Sequence, residues 1–160
     1  MMKYFLCLGS NLGQKKKNLK QALALLRNEG IRILRSSSFY ETEPVDNLDQ
    51  PWFYNQVVEV EAGFSPLELL KLAKKIEKRM GRKDPTQKSP RKIDIDILLA
   101  ENAVIRTREL VIPHPRLEKR NFALIPLGEI APDIVHPVLE TKIEDLAKNS
   151  KDPSIVNKLE

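Results

Sequence analysis

Disulfides are the first device this sequence does without. Its one cysteine, Cys7, sits in the apolar opening run Tyr4-Phe5-Leu6-Cys7-Leu8, with no bridge partner and no neighbouring ligand at metal-site spacing. A reducing, cytoplasmic setting is the expectation. Long apolar runs are missing too: none approaches the roughly 20 residues needed to span a bilayer, and the chain reaches a Gly-Ser-Asn turn too early for a secretory signal. Glycine is scarce, at six residues, and no internal repeat, low-complexity tract or interdomain linker breaks the chain, so residues 1–160 are expected to form one domain. There is no nucleophile motif either. His114 and His136 lack a serine or cysteine partner at a recognisable spacing, which argues against covalent catalysis. Gly9-Ser10-Asn11-Leu12-Gly13 looks like a phosphate-cradling turn, yet it lacks the Gly-Lys-Ser/Thr ending of a P-loop.

What the chain has in excess is positive charge, a net +5, which favours an anionic partner. Lys15-Lys16-Lys17 and the face Lys71, Lys74, Lys75, Lys78 and Arg79 read as solvated helix surface. The stretch from Arg82 to Lys92 is different, with five basic residues against one acid, punctuated by Pro85 and Pro90 after Gly81. It suits a mobile lid over bound polyphosphate.

Hydrophobic spacing predicts a strand over residues 3–8, a helix from about Asn18 to Arg27, and a second strand from Ile31 through Phe39 to the break at Thr42-Glu43-Pro44. A loop of about ten residues leads to a β-rich run from Phe53 to Phe64. Ser65-Pro66 then opens a helix that Gly81 caps. Ile93 to Leu99 alternates apolar and acidic residues before becoming fully apolar, as a strand with one buried and one polar face does. Val104-Ile105 and Leu110 to Ile112 suggest an added hairpin, Phe122 to Leu127 a turn or two of helix, and the residues from Ile143 on a weak terminal helix. The order β-α-β-β-α-β is that of an α+β, ferredoxin-like core: a mostly antiparallel sheet with both helices on one face and the other face left to loops and ligands.

Asp94 and Asp96, two apart on a strand, project to the same side roughly 7 Å apart, as hard oxygen donors for magnesium should. The adjoining basic stretch supplies Arg82 and Arg91, whose forked guanidiniums fit phosphate oxygens. Residues 42–55 carry Trp52, Phe53 and Tyr54 with few basic groups and suit an uncharged flat ligand, Phe53 stacking on it and Asn55 meeting its polar edge. Phe122 is a candidate for the opposite side, and His114, held between prolines, for a phosphate contact.

Taken in order, several segments resemble the 6-hydroxymethyl-7,8-dihydropterin pyrophosphokinases of folate synthesis: Gly-Ser-Asn-Leu-Gly at 9–13, Ser-Ser-Phe-Tyr-Glu-Thr-Glu-Pro at 37–44, and Asp-Gln-Pro-Trp-Phe-Tyr-Asn at 49–55. Pro-Arg-Lys-Ile-Asp-Ile-Asp-Ile-Leu at 90–98, Ile-Pro-His-Pro-Arg at 112–116 and Arg120-Asn121-Phe122 continue the pattern. The resemblance implies transfer of diphosphate from the co-substrate ATP to the pterin hydroxymethyl group, releasing AMP, with two Mg2+ ions on Asp94 and Asp96. It also implies a pterin held between Phe53 and Phe122 and met by Thr42, Val45 and Asn55. Arg82, Arg91, His114 and Arg120 would engage the triphosphate, with Lys74 and Glu77 on the nucleotide side and Ile97 near the adenine. Arg82, Arg91, Asp94 and Asp96 would carry catalysis. A monomer is expected, with a weak homodimer as the alternative, and neither nucleic acid nor membrane as partner. Two features depart from the family pattern: Lys88-Ser89 replaces an aromatic-Gly pair in the lid, and Val45-Asp46-Asn47 lacks a glycine.

The rival reading is a ferredoxin-like RNA-binding module. It predicts aromatics on the central strands, where this chain offers aspartates, and no Lys/Arg-Gly-Phe signature appears. A small-molecule regulatory domain is a second rival, and it would need no metal pair.

Overall fold

The computed structural model describes residues 1–82 and 89–159. Strand β1 (Met2–Ser10) is central, because its apolar residues are buried on both faces. It pairs antiparallel with β4 (Phe53–Ala62) on one side and with β5 (Asp94–Ala100) on the other. The outer edge of β4 is shared by two short strands, β2 (Arg32–Ser36) and β3 (Tyr40–Thr42). A last strand, β8 (Val156–Lys158), closes the far edge on β3. β6 (Ile105–Arg106) and β7 (Val111–Ile112) form the small added hairpin.

Tyr4, Leu6 and Leu8 of β1 and Val58 and Val60 of β4 bury one face of the sheet against α1 (Lys15–Asn28) and α2 (Pro66–Arg79). α2 starts at the predicted place for a physical reason: Ser65 and Glu68 form a reciprocal capping box, and Pro66 occupies the first turn, where its missing N–H costs nothing. Its end is equally well defined. Gly81 adopts φ +102, so the Arg82 N–H turns back to the Glu77 carbonyl at 3.0 Å and the Arg82 side chain is aimed at β5.

Four details differ from the sequence expectation. The second strand is two strands, because the Ser37 hydroxyl accepts the Val57 N–H and diverts the ladder between β2 and β3. The terminal helix α4 (Ile143–Lys148) is short, and the chain beyond Asp152-Pro153 becomes β8. The second sheet face is not left wholly to loops: Phe5, Cys7, Val57 and Leu98 pack there against α3 (Asn121–Ile130) and Ile143. The expected turn or two is thus a ten-residue helix. Finally, the acidic strand β5 is not one of the central strands but an edge of the sheet, with β1 as its strand partner among the described residues. No helix among the described residues is long and apolar enough to cross a membrane.

Candidate active site

Alternation along β5 decides where its acids point. Ile93, Ile95 and Ile97 enter the core under α2, so Asp94 and Asp96 turn to the opposite face, half-buried beside the first turn of α3. In the ladder Asp94 lies opposite Gly9 and Asp96 opposite Cys7. Being at an edge, β5 has backbone groups without a strand partner, and they are met by site residues. The Glu77 carboxylate accepts the Ile95 N–H at 2.7 Å, and the His114 N–H donates to the Leu98 carbonyl at 3.0 Å.

Two cavities meet at this strand. One, of about 170 Å³, is lined by Thr42, Val45, Phe53, Asn55 and Phe122 together with Arg91 and Arg120. The other, of about 270 Å³, is lined by Lys74, Glu77 and Ile97 and by Arg108 and Glu109 of the hairpin. Arg82, Asp94, Asp96 and His114 line both. The residues expected to face a flat heterocycle and those expected to face a nucleotide are therefore separated by the two acids, one arginine and one histidine.

Charge is concentrated at that junction. Arg82 reaches Asp94 at 2.5 Å and Glu77 at 3.4 Å, and Arg91 lies 3.8 Å from the other Asp94 oxygen. Burial raises the Asp96 carboxyl to about 7, with the Asp94 charge adding to the rise and Arg120 opposing it. Burial likewise raises Glu77 to about 7, although the Ile95 N–H and Arg82 pull the other way. Such a site favours cations. Among the described residues no cluster of three or more His, Cys, Asp or Glu is arranged to hold a metal. Two hard carboxylates on one strand face nevertheless fit magnesium whose remaining ligands are phosphate oxygens and water. The Cys7 thiol, held well above its ordinary value by burial and then by Asp96 and Asp94, is no nucleophile at neutral pH.

The smaller cavity is walled by arginine-covered rings. The Arg91 guanidinium lies 5.1 Å from the Phe53 centroid, and that of Arg120 lies 5.4 Å from Phe122. Asn55 donates to the Thr42 hydroxyl at 2.5 Å, leaving the pair able to present a donor and an acceptor to a ligand edge. Gly9 lies against Asn55: a Cβ there would fall 2.5 Å from Asn55 Oδ1.

Every singled-out site residue thus borders one cavity or both, whereas His136 lies outside them, buried and accepting the Val138 and Leu139 N–H groups. The Lys88-Ser89 departure falls partly on Lys88, outside the described residues, as does the middle of the expected lid. Sequence reasoning missed Asn11, Gln50, Asp46 and Arg116. Asn11, buried, accepts the Arg91 N–H at 2.8 Å and donates to Gln50 at 2.9 Å and the Pro51 carbonyl at 3.0 Å, tying the segments that precede β4 and β5 to the end of β1. Its place in the Gly-Ser-Asn turn was the available signal. Asp46 bridges Arg116 and Arg120, both at 3.4 Å, and no pattern in the sequence marked that contact.

Comparison with known proteins follows the same lines. The family model for 7,8-dihydro-6-hydroxymethylpterin-pyrophosphokinase (HPPK) matches residues 5–132. The chain is 41% identical over 131 residues to the 2-amino-4-hydroxy-6-hydroxymethyldihydropteridine pyrophosphokinase of Bacillus subtilis, covering 81% of this chain and 78% of that one. Its similarity to the enzyme of that name from Methylorubrum extorquens is 40% over 161 residues, covering 100% of each. It is also 43% identical to the folic acid synthesis protein fol1 of Schizosaccharomyces pombe over 88% of this chain, but spans only 19% of that longer protein. A Plasmodium falciparum HPPK-DHPS crystal structure superposes with a TM-score of 0.71 at 20% identity, over 92% of this chain and 43% of the other, which bears on the fold alone.

Proposed function

Because the chain belongs to the 7,8-dihydro-6-hydroxymethylpterin-pyrophosphokinase family, we propose that it moves the terminal diphosphate of ATP onto 6-hydroxymethyl-7,8-dihydropterin in folate synthesis, giving AMP and the pterin diphosphate. The observation that carries this reading is the junction of the two cavities at Asp94, Asp96, Arg82 and His114. An acceptor in one cavity and a polyphosphate in the other would meet there. The pterin lies between Phe53 and Phe122, its polar edge on Thr42 and Asn55 and its flank on Val45. ATP occupies the side lined by Lys74, Glu77 and Ile97.

The pterin hydroxymethyl oxygen attacks the β-phosphorus, the bond from that phosphorus to the α–β bridging oxygen breaks, AMP departs, and the hydroxyl proton passes to solvent. No bond to a protein atom forms. Asp94 and Asp96 would hold two magnesium ions, which when bound would supply the charge neutralisation that phosphoryl transfer needs. The protein's own share is orientation and charge. Arg82 exchanges its carboxylate partners for phosphate, Arg91 and Arg120 approach from the pterin side, and His114, whose Nδ1 accepts the Arg116 N–H at 3.2 Å, presents Nε2–H to a phosphate oxygen. A lone buried thiol suits the reducing cytoplasm.

The RNA-binding alternative has no support, since the acids of β5 would repel a nucleic-acid backbone and the family match lies elsewhere. Incubation with ATP, magnesium and the hydroxymethyl dihydropterin tests the reading: AMP is the expected nucleotide product, whereas ADP, or no pterin-dependent turnover, refutes it.

A further inference from the structure

The segment after residue 150 lies beyond the family match, yet it is bonded to both walls of the heterocycle cavity. Helix α3, which brings Arg120 and Phe122 to one wall, lacks a side-chain cap of its own: Arg120 at the cap position makes no such bond. Asp152 supplies it from a distance. Its Oδ2 accepts the Asn121 N–H at 2.9 Å, and its carbonyl accepts the Asn121 side-chain amide at 3.0 Å. Its Oδ1 accepts the Ser154 N–H at 2.9 Å, which turns the chain toward the other wall. There Ile155 donates to Glu43 Oε1 at 2.6 Å and accepts the Glu43 N–H at 3.0 Å, and Val156 pairs with Thr42 in the β3–β8 ladder. Thr42 in turn receives the Asn55 hydrogen bond.

A tie of three peptide links from Asp152 to Ile155, at most roughly 11 Å when extended, thus joins Asn121, the residue between Arg120 and Phe122, to Glu43, the residue beside Thr42. We propose that Asp152 is a positioning residue for the pterin, with the segment 152–156 setting the separation of the Phe122 wall from the Thr42–Asn55 wall. The proposal rests on the functional reading above. Although burial pushes the Asp152 carboxyl up, hydrogen bonds from Ser154 and Asn121 and the charge of Arg120 hold it below its ordinary value. It is ionised at neutral pH, and the bond to Asn121 is charge-assisted. None of these bonds involves the nucleotide-side residues Lys74, Glu77 or Ile97. The effect on the two substrates should therefore be unequal, which separates positioning from a general contribution to folding.

The test uses the full chain as wild type, Asp152→Ala, Asp152→Asn and Ile155→Pro. It reads the KM for pterin at saturating magnesium-ATP, the Kd for a non-hydrolysable ATP analogue, and the melting temperature. Asp152→Ala is expected to raise the pterin KM about tenfold while the analogue Kd stays within about twofold, because lost hydrogen bonds of this kind loosen one wall only. Asp152→Asn, which keeps an acceptor for the Asn121 N–H, should recover most of the loss. Ile155→Pro, which deletes the N–H given to Glu43 without touching α3, should reproduce the pterin-selective pattern. An unchanged pterin KM in both Asp152→Ala and Ile155→Pro overturns the proposal, as does equal weakening of both ligands in step with the melting temperature. A wild type that binds and turns over no pterin overturns the functional reading itself, and that outcome is seen before any variant is compared.

Discussion

Glu77→Gln offers a quantitative check on the electrostatics of the junction. Glu77 is 4% exposed, its carboxylate accepts the Ile95 N–H, and burial raises its pKa from 4.5 to about 7. The folded chain therefore keeps this proton through a pH range in which the unfolded chain has lost it. Between about pH 4.5 and pH 7 folding takes up a proton, so stability falls as the pH rises through that window and is lowest above it. A shift of this size corresponds to about 3 kcal/mol between the two ends of the window. Glutamine keeps an oxygen for Ile95 and carries no charge at any pH. Below pH 4.5 the variant should match the wild type, and at pH 8 it should be more stable by about 1–3 kcal/mol, the lower end reflecting the lost pairing with Arg82. Urea unfolding at the two pH values, in chelator and without nucleotide, measures the difference directly. Asp96, raised to about 7 from 3.8, leaves some pH dependence in the variant as well. A stability difference that is the same at both pH values, or a variant less stable than wild type at pH 8, would refute the argument that Glu77 is buried at a cost in its charged form.

Asp94→Ala or Asp96→Ala should lower kcat by about a thousandfold or more while the melting temperature holds, since under the proposed function each would remove a ligand for the ions that neutralise the polyphosphate; wild-type rates in steady-state assays would sink the metal role. Phe122→Ala should weaken pterin binding about tenfold with little change for ATP, seen by calorimetry with each ligand in turn; equal losses for both would point to collapse of α3 instead. Gly9→Ala places a Cβ 2.5 Å from Asn55 Oδ1, so Asn55 must move off Thr42, and the pterin KM should rise about tenfold or more. An unaltered KM would show that Asn55 is not used.

Much of the fold was readable because its signals are local. The Ser65-Pro66-Leu67-Glu68 start of α2, the Gly81 stop and the isoleucine alternation of β5 each report a preference set within a few residues. The misreadings concern elements whose partners are distant. Ser37 divides a strand only because Val57 lies across from it, and the residues after Pro153 extend only because β3 offers a free edge. The site shows the same division. Asp94, Asp96, Phe53 and Phe122 could be singled out from residue type and motif, whereas the Asp46 bridge to Arg116 and Arg120 and the Asn11 contacts to Arg91 and Gln50 join positions dozens of residues apart.

By itself the order of residues determined that two carboxylates leave β5 on one side, that α2 ends where Arg82 begins, and that a basic stretch adjoins the acids, because periodicity and capping act over one or two turns of chain. Only the tertiary structure decided that β5 is an edge whose free N–H is met by Glu77, that α3 covers part of the second face, and that two cavities share one wall of charge. Those outcomes depend on which distant segments pack together, a choice made by burial of apolar surface across the whole domain.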